Sequence, residues 1–223
     1  MNDTKTRILD AAERLFALHG FEAASLRAIT TEARVNLAAV NYHFQSKDGL
    51  IDAIVARHLE PINRQRLARL DACEAAAGKR PMELERIMDA FFAPVFDSPL
   101  DGREFFMPLV GRLFTAPEEF LHHVFEKHLS AVARRFDAAL SRSLPHLAPV
   151  ERAWRQSFGI GAMTHTLLLA RAIPVVTHGV CDLTDGRALT RRMVAFVCAG
   201  LRAPATEIAS KTRPARKTRK AGV

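Results

Sequence analysis

Residues 35–50 read VNLAAVNYHFQSKDGL, and two residues in them mark where helices begin. Asn36 and Ser46 are good helix N-caps, because a short side-chain oxygen accepts from a backbone N–H that the first turn leaves without a partner. Between them lies a segment of about two turns, residues 37–44. On it Leu37, Val40 and Phe44 recur at i, i+3 and i+7 and are the expected buried anchors. The other side presents Ala38 and Ala39, which are small, beside Asn41, Tyr42 and His43, which end in hydrogen-bonding groups. A side this smooth and polar-tipped is built to meet another surface.

Toward the N-terminus, residues 4–19 place Ile8, Ala12, Leu15 and Phe16 on one helical face, and Gly20 is a C-terminal stop. Ser25 caps a second short helix in which Leu26, Ile29 and Ala33 turn inward. Two short helices joined through "EARVN" and braced by a longer first one predict a helix-turn-helix, whose second helix enters the major groove of DNA. There the two alanines permit close approach, Asn41 can pair with base edges, and Tyr42 and His43 reach phosphate oxygens. Ser25 adds a hydroxyl and amides at a helix N-terminus, a natural anion site. Lys47 has the same position on the next helix plus a full charge; Arg27 and Thr30 are further candidates.

Toward the C-terminus, Leu50, Ile51, Ile54, Val55, Leu59, Ile62, Leu67 and Leu70 repeat at helical spacing through about residue 76. Pro61 interrupts them and predicts a kink near Glu60 or a joint between two helices. Further blocks run over about 82–96, 102–114, 117–142, 147–172 and 185–202, punctuated by glycine and proline. No segment alternates as a strand does. The expected fold is all-α: a three-helix unit over 1–46, a larger helical domain over 47–202 and a basic tail over 203–223. Within it "KTRPARKTRK" has no apolar residue larger than alanine and repeats like charge, so the tail reads as disordered.

Composition narrows the class. With 48% hydrophobic and 25% charged residues the chain is ordinary globular material. It has no apolar run near the roughly 18 residues of a membrane span and no signal-like start, so a cytoplasmic location is expected. The three cysteines, Cys73, Cys181 and Cys198, are widely spaced and read as reduced thiols. The net charge is +8, but the tail carries six basic residues against one acid, which leaves the body at +3. Residues 1–50 hold six basic and six acidic groups, so a nucleic-acid surface there depends on placement rather than bulk charge.

The stretch RILDAAERLFALHGFEAASLRAITTEARVNLAAVNYHFQSKDGL, Arg7 to Leu50, resembles the N-terminal domain of the tetracycline-repressor (TetR) family of bacterial transcriptional regulators. The resemblance implies an all-helical homodimer with a small DNA-binding domain and a larger domain that binds a small ligand and dimerises through its last two helices. By position, Ser25, Tyr42 and Lys47 match the family's phosphate contacts, and Ala38, Ala39, Asn41 and His43 its groove-facing surface. Arg34 stands where the family usually has glycine, which implies a reshaped turn or an extra phosphate contact. Asn41 stands where an aromatic is common, which implies a different base preference. VNLAAVNYHF followed by LEPINRQRL is similar to a subgroup that includes regulators of fatty-acid metabolism.

In the larger domain phenylalanines crowd in adjacent pairs, too many for one core stripe. Some are therefore expected to line a cavity between helices: Phe92, Phe96 and Phe106, with Trp154 and Phe158. Arg103, Arg112 or His165 would meet the acidic head of a mainly apolar effector, fatty-acid-like or aromatic. His122, His123 and His128 lack the i, i+4 spacing of a helical metal site and read as a solvated face, and no cofactor is expected. No nucleophile with a base, paired carboxylates or metal cluster favours an enzyme. The rival to a sequence-specific regulator is a non-specific architectural DNA binder driven by the tail.

Overall fold

The computed structural model describes residues 3–97 and 118–204, and all regular structure among them is helical. Helices α1 (Thr4–His19), α2 (Leu26–Ala33) and α3 (Leu37–Phe44) form the N-terminal unit. Their ends are set as the sequence predicts. Gly20 stops α1 at φ 90°, its N–H reaching Phe16 O at 2.8 Å. The Ser25 hydroxyl accepts from the Ala28 N–H at 3.1 Å, and the Asn36 side-chain Oδ1 from the Ala39 N–H at 2.9 Å. Ser46 accepts from the Gly49 N–H at 3.0 Å and opens α4 (Lys47–Ala77). The turn before α4 is tight enough that a Cβ on Gly49 would lie 2.2 Å from the Phe44 carbonyl oxygen.

Ile8, Phe16, Ile29, Val40 and Leu50 meet in one fully buried cluster that three short helices alone could not close. The start of α4 completes it through Leu50, Ile51 and Ile54, while Ile62 and Leu70, further along, belong to a second cluster. One helix therefore serves both cores. It runs unbroken through Pro61, so the expected joint does not form. Pro61 lies on the exposed side, where the carbonyl its ring leaves unbonded can be hydrated.

The second core is built around α5 (Leu84–Phe96), which packs against α4, α7 and α10. A helical run from Glu118 to Ser143 comprises α6 (Glu118–Val124), a π-helical turn (Phe125–Leu129) and α7 (Ser130–Ser143). Then follow α8 (Pro149–Leu168), a short α9 (Ile173–Val176) and α10 (Gly186–Arg202). Leu70, Ile87, Phe92, Ala139, Leu140 and Leu201 are among the most buried members of this second core. The block expected over 147–172 is shorter than predicted, turning at Leu169 before Pro174. The expected block over 102–114 and almost all of the basic tail lie outside the described residues. Among those described, no helix is long and apolar enough to cross a membrane.

Candidate nucleic-acid interface

Helix α3 buries Val40 and Phe44 and leaves a continuous strip in the open. At about 100° per residue, Leu37, Ala38, Asn41 and Tyr42 fall within roughly 140° of arc, and all four are exposed. Two expectations change here. Leu37 is 50% exposed rather than an anchor, because it sits at the edge of the buried sector and on the first turn, where the helix projects beyond its core. Ala39, expected in the groove-facing set, is half-buried against that core. Tyr42 stands out at 84% exposure, and its ring meets the half-buried His43 edge-on at 5.1 Å. The open strip thus has an apolar head, a small step, an amide and a phenol.

The other candidate groups lie on α2 and α4, the helices that pack against α3, and at their N-terminal ends. Ser25 is exposed; capping uses its oxygen as an acceptor and leaves the hydroxyl proton free to donate outward. Arg27 is exposed in the first turn of α2. Thr30 drops out of the set, because it is buried and its hydroxyl donates to the Arg27 carbonyl at 2.9 Å. Lys47 Nζ donates to Glu22 O at 3.1 Å, which holds the start of α4 against the α1–α2 loop with ammonium protons to spare.

The turn between α2 and α3 is a Schellman motif. Val35 N–H returns to Thr30 O at 3.0 Å, Arg34 N–H to Thr31 O at 3.2 Å, and Arg34 adopts the left-handed region with φ 53° and ψ 50°. Arg7, absent from the sequence-derived set, braces this turn: its Nη2 donates to Ala33 O at 2.5 Å and Arg34 O at 2.8 Å. Nothing in the local sequence marks a contact spanning 26 residues.

Helix α4 is gripped from both sides in one short stretch. Toward α1, Arg57 reaches Asp10 at 2.5 Å, and His58 Nε2 lies 2.8 Å from Glu13. Toward the π-helical turn, Asp52 takes Lys127 at 2.5 Å and His128 Nε2 at 2.7 Å. Burial alone would lift the Asp52 carboxyl, but the hydrogen bonds from Lys127 and His128 outweigh it and hold it below its ordinary value. His128 is thus a buried partner of α4 and no part of a solvated face; the π-turn tucks its ring inward. No cluster of three metal-ligating side chains occurs among the described residues.

In the larger domain Phe92 and Phe96 are buried and stack at 6.4 Å. Trp154 and Phe158, expected beside them, instead lie on the outer face of α8, 55% and 65% exposed. His165 is exposed too, eleven residues after Trp154 and so only about 20° around the helix from it. Arg103, Phe106 and Arg112 lie outside the described residues. A polar group the sequence reading missed occupies the interior. Arg66 of α4 is 4% exposed, with Nε donating to Phe91 O at 2.9 Å, Nη1 to Asn63 Oδ1 at 3.2 Å, and its carbon 4.0 Å above the Phe91 ring. Asn63 in turn donates to His128 O at 2.7 Å. Burial pushes the Arg66 pKa down to about 10, which still leaves it a cation at neutral pH.

Comparison with known proteins agrees with this architecture. The family described as "Bacterial regulatory proteins, tetR family" matches residues 8–54, and "Tetracyclin repressor-like, C-terminal domain" matches residues 89–200. The nicotine-responsive transcriptional repressor HdnoR of Paenarthrobacter nicotinovorans is 34% identical over 99 residues, covering 44% of this chain and 49% of that protein. The regulator UidR of Escherichia coli K12 is 40% identical over 26% of this chain and 34% of its own length. The chain thus aligns with half or less of these two relatives. Among solved structures, the fatty acid degradation regulator FadR of Bacillus halodurans has a TM-score of 0.58 at 15% identity, covering 92% of this chain and 99% of that one. A transcriptional regulator of Aquifex aeolicus gives 0.55 at 21%, covering 87% and 99%; at these identities the likeness is one of fold. With one family domain on the helix-turn-helix and another on the helices behind it, the chain belongs to the TetR family of transcriptional regulators, which join a DNA-binding helix-turn-helix to a ligand-binding C-terminal domain.

Proposed function

We propose that the protein is a ligand-responsive repressor that binds a near-palindromic operator as a homodimer and leaves it when a small, mainly apolar effector enters the larger domain. The observation that carries this reading is the open strip of α3, with Leu37, Ala38, Asn41 and Tyr42 exposed together. Ser25, Arg27, Arg34, His43 and Lys47 flank it and serve the phosphates. In the homodimer the two recognition helices lie about one DNA turn apart, roughly 34–36 Å. Support for pairing comes from α8, where Val150, Trp154 and Phe158 recur every four residues as one exposed apolar stripe, with Phe196 exposed on α10. The named relative HdnoR is a repressor that responds to a small molecule, which favours release over recruitment here.

The ion pairs that hold α4 on both sides support coupling between the two domains. Effector binding in the second core displaces the π-turn or α4 itself, and the two recognition helices lose their spacing. DNA and effector then oppose each other reciprocally. The test is selection of bound genomic fragments with purified protein, followed by titrations of the selected duplex. Lys47→Ala is expected to weaken binding to every sequence and to reduce the salt slope by about one. Asn41→Ala is expected to relax sequence preference at one position of each half-site, at about 1–3 kcal/mol against the preferred base. Equal loss on all duplexes for Asn41→Ala would remove it from base reading, and deletion of 204–223 that abolished selectivity would favour the tail-driven binder.

A further inference from the structure

Arg66 poses an energetic problem that the DNA-binding reading leaves unanswered. Its guanidinium is sunk among Phe91, Met163 and the second core, and no carboxylate pairs with it among the described residues. Of its five N–H groups, three are taken up by Phe91 O, Asn63 Oδ1 and the sulfur of Met163, the last at 3.8 Å. Two are left without an acceptor among the described residues. A buried ion without a counter-ion is costly, and an apolar side chain of similar size commonly serves a core as well or better. A partner arriving from outside would supply the missing counter-charge.

We propose that Arg66 is the seat for the carboxylate of the effector: a monoanionic head group receives the open guanidinium N–H groups, and the apolar body lies along the surrounding phenylalanine and methionine side chains. This rests on the reading of the larger domain as an effector site and narrows its chemistry. A single negative charge neutralises the buried cation, whereas a dianionic phosphate would leave an excess charge buried. The planar fork of arginine also matches a carboxylate in geometry. The position suits signalling as well. A carboxylate that draws Nη1 away competes with Asn63, whose amide holds the His128 carbonyl, while the His128 ring holds Asp52. Binding at Arg66 is therefore felt along α4 up to the helix-turn-helix.

The experiment compares dodecanoate with dodecanol, and phenylacetate with phenylacetamide, by calorimetric titration of the full chain, Arg66→Met and Arg66→Gln. The wild type is expected to prefer at least one carboxylate over its neutral counterpart by ten- to a hundredfold, the range of a charge-assisted hydrogen bond. Both variants are expected to bind the two members of that pair alike, with thermal melts confirming that they fold; if Arg66→Met does not fold, Arg66→Gln decides. A carboxylate preference that survives in a folded variant overturns the assignment and places the head group elsewhere. Equal wild-type binding of acid and neutral partner overturns it too, while leaving the apolar effector intact. If the wild type binds none of the four, the apolar-effector reading itself fails, and the seat with it.

Discussion

Arg34 holds φ 53° and ψ 50°, a conformation that costs an L-residue about 1 kcal/mol or more because its Cβ crowds the backbone. Glycine would adopt it without that penalty. Arg7 offsets part of the strain by donating to the two carbonyls at the turn. Arg34→Gly is accordingly expected to raise stability by about 1 kcal/mol in urea denaturation and, under the proposed phosphate contact, to weaken binding to all duplexes through loss of an exposed cation. Unchanged DNA affinity would remove Arg34 from the interface. The caps at Ser25, Asn36 and Ser46 were legible because a cap is a contact between residues three apart in sequence. The exposure of Leu37 was not, since helical spacing assigns it to the buried side, and only the position of the core relative to the helix end overrules that.

Among the elements, α4 carries the decisive role because its stretch from Asp52 to His58 contacts α1 on one side and the π-turn on the other. Asp52→Asn is expected to destabilise the chain by about 1–3 kcal/mol, as Lys127 and His128 lose a charged acceptor. The pH dependence has a definite sign. The folded carboxyl sits below its ordinary value, so the stabilisation is fully present above the unfolded-state value of about 3.9. It is lost as pH falls through the lower, folded-state value. Denaturation curves of wild type and variant are therefore expected to converge in acid and to stay apart at neutral pH. Constant separation down to pH 2 would show that the ionised carboxylate does not supply the difference.

At the scale of the molecule, an apolar face on α8 and α10 is exposed among the described residues. Val150, Trp154 and Phe158 of α8 and Phe196 of α10 are all more than half exposed, while the inner side of the same pair closes tightly: a Cβ on Gly159 would stand 3.1 Å from a Val197 methyl. A stripe of large apolar side chains on a well-packed helix pair is the signature of a surface that meets another chain. Phe158→Asp is expected to shift sedimentation from dimer to monomer and to abolish operator binding, since one recognition helix alone covers only a half-site. A variant that remains dimeric would move the pairing surface away from α8.

The sequence by itself determined the helical class, the helix-turn-helix with its caps, and the residue types offered to DNA, because these depend on spacing over a few residues and on which side chains can bond the backbone beside them. Only the tertiary structure decided which apolar residues face outward, that α4 passes unbroken from one core to the other, and that Arg66 lies inside the second with no carboxylate partner among the described residues. Those outcomes depend on contacts such as Asp52 with His128 and Arg66 with Met163, 76 and 97 residues apart. Periodicity ranks residues around a helix axis, but it does not say what the chain will bring to cover them.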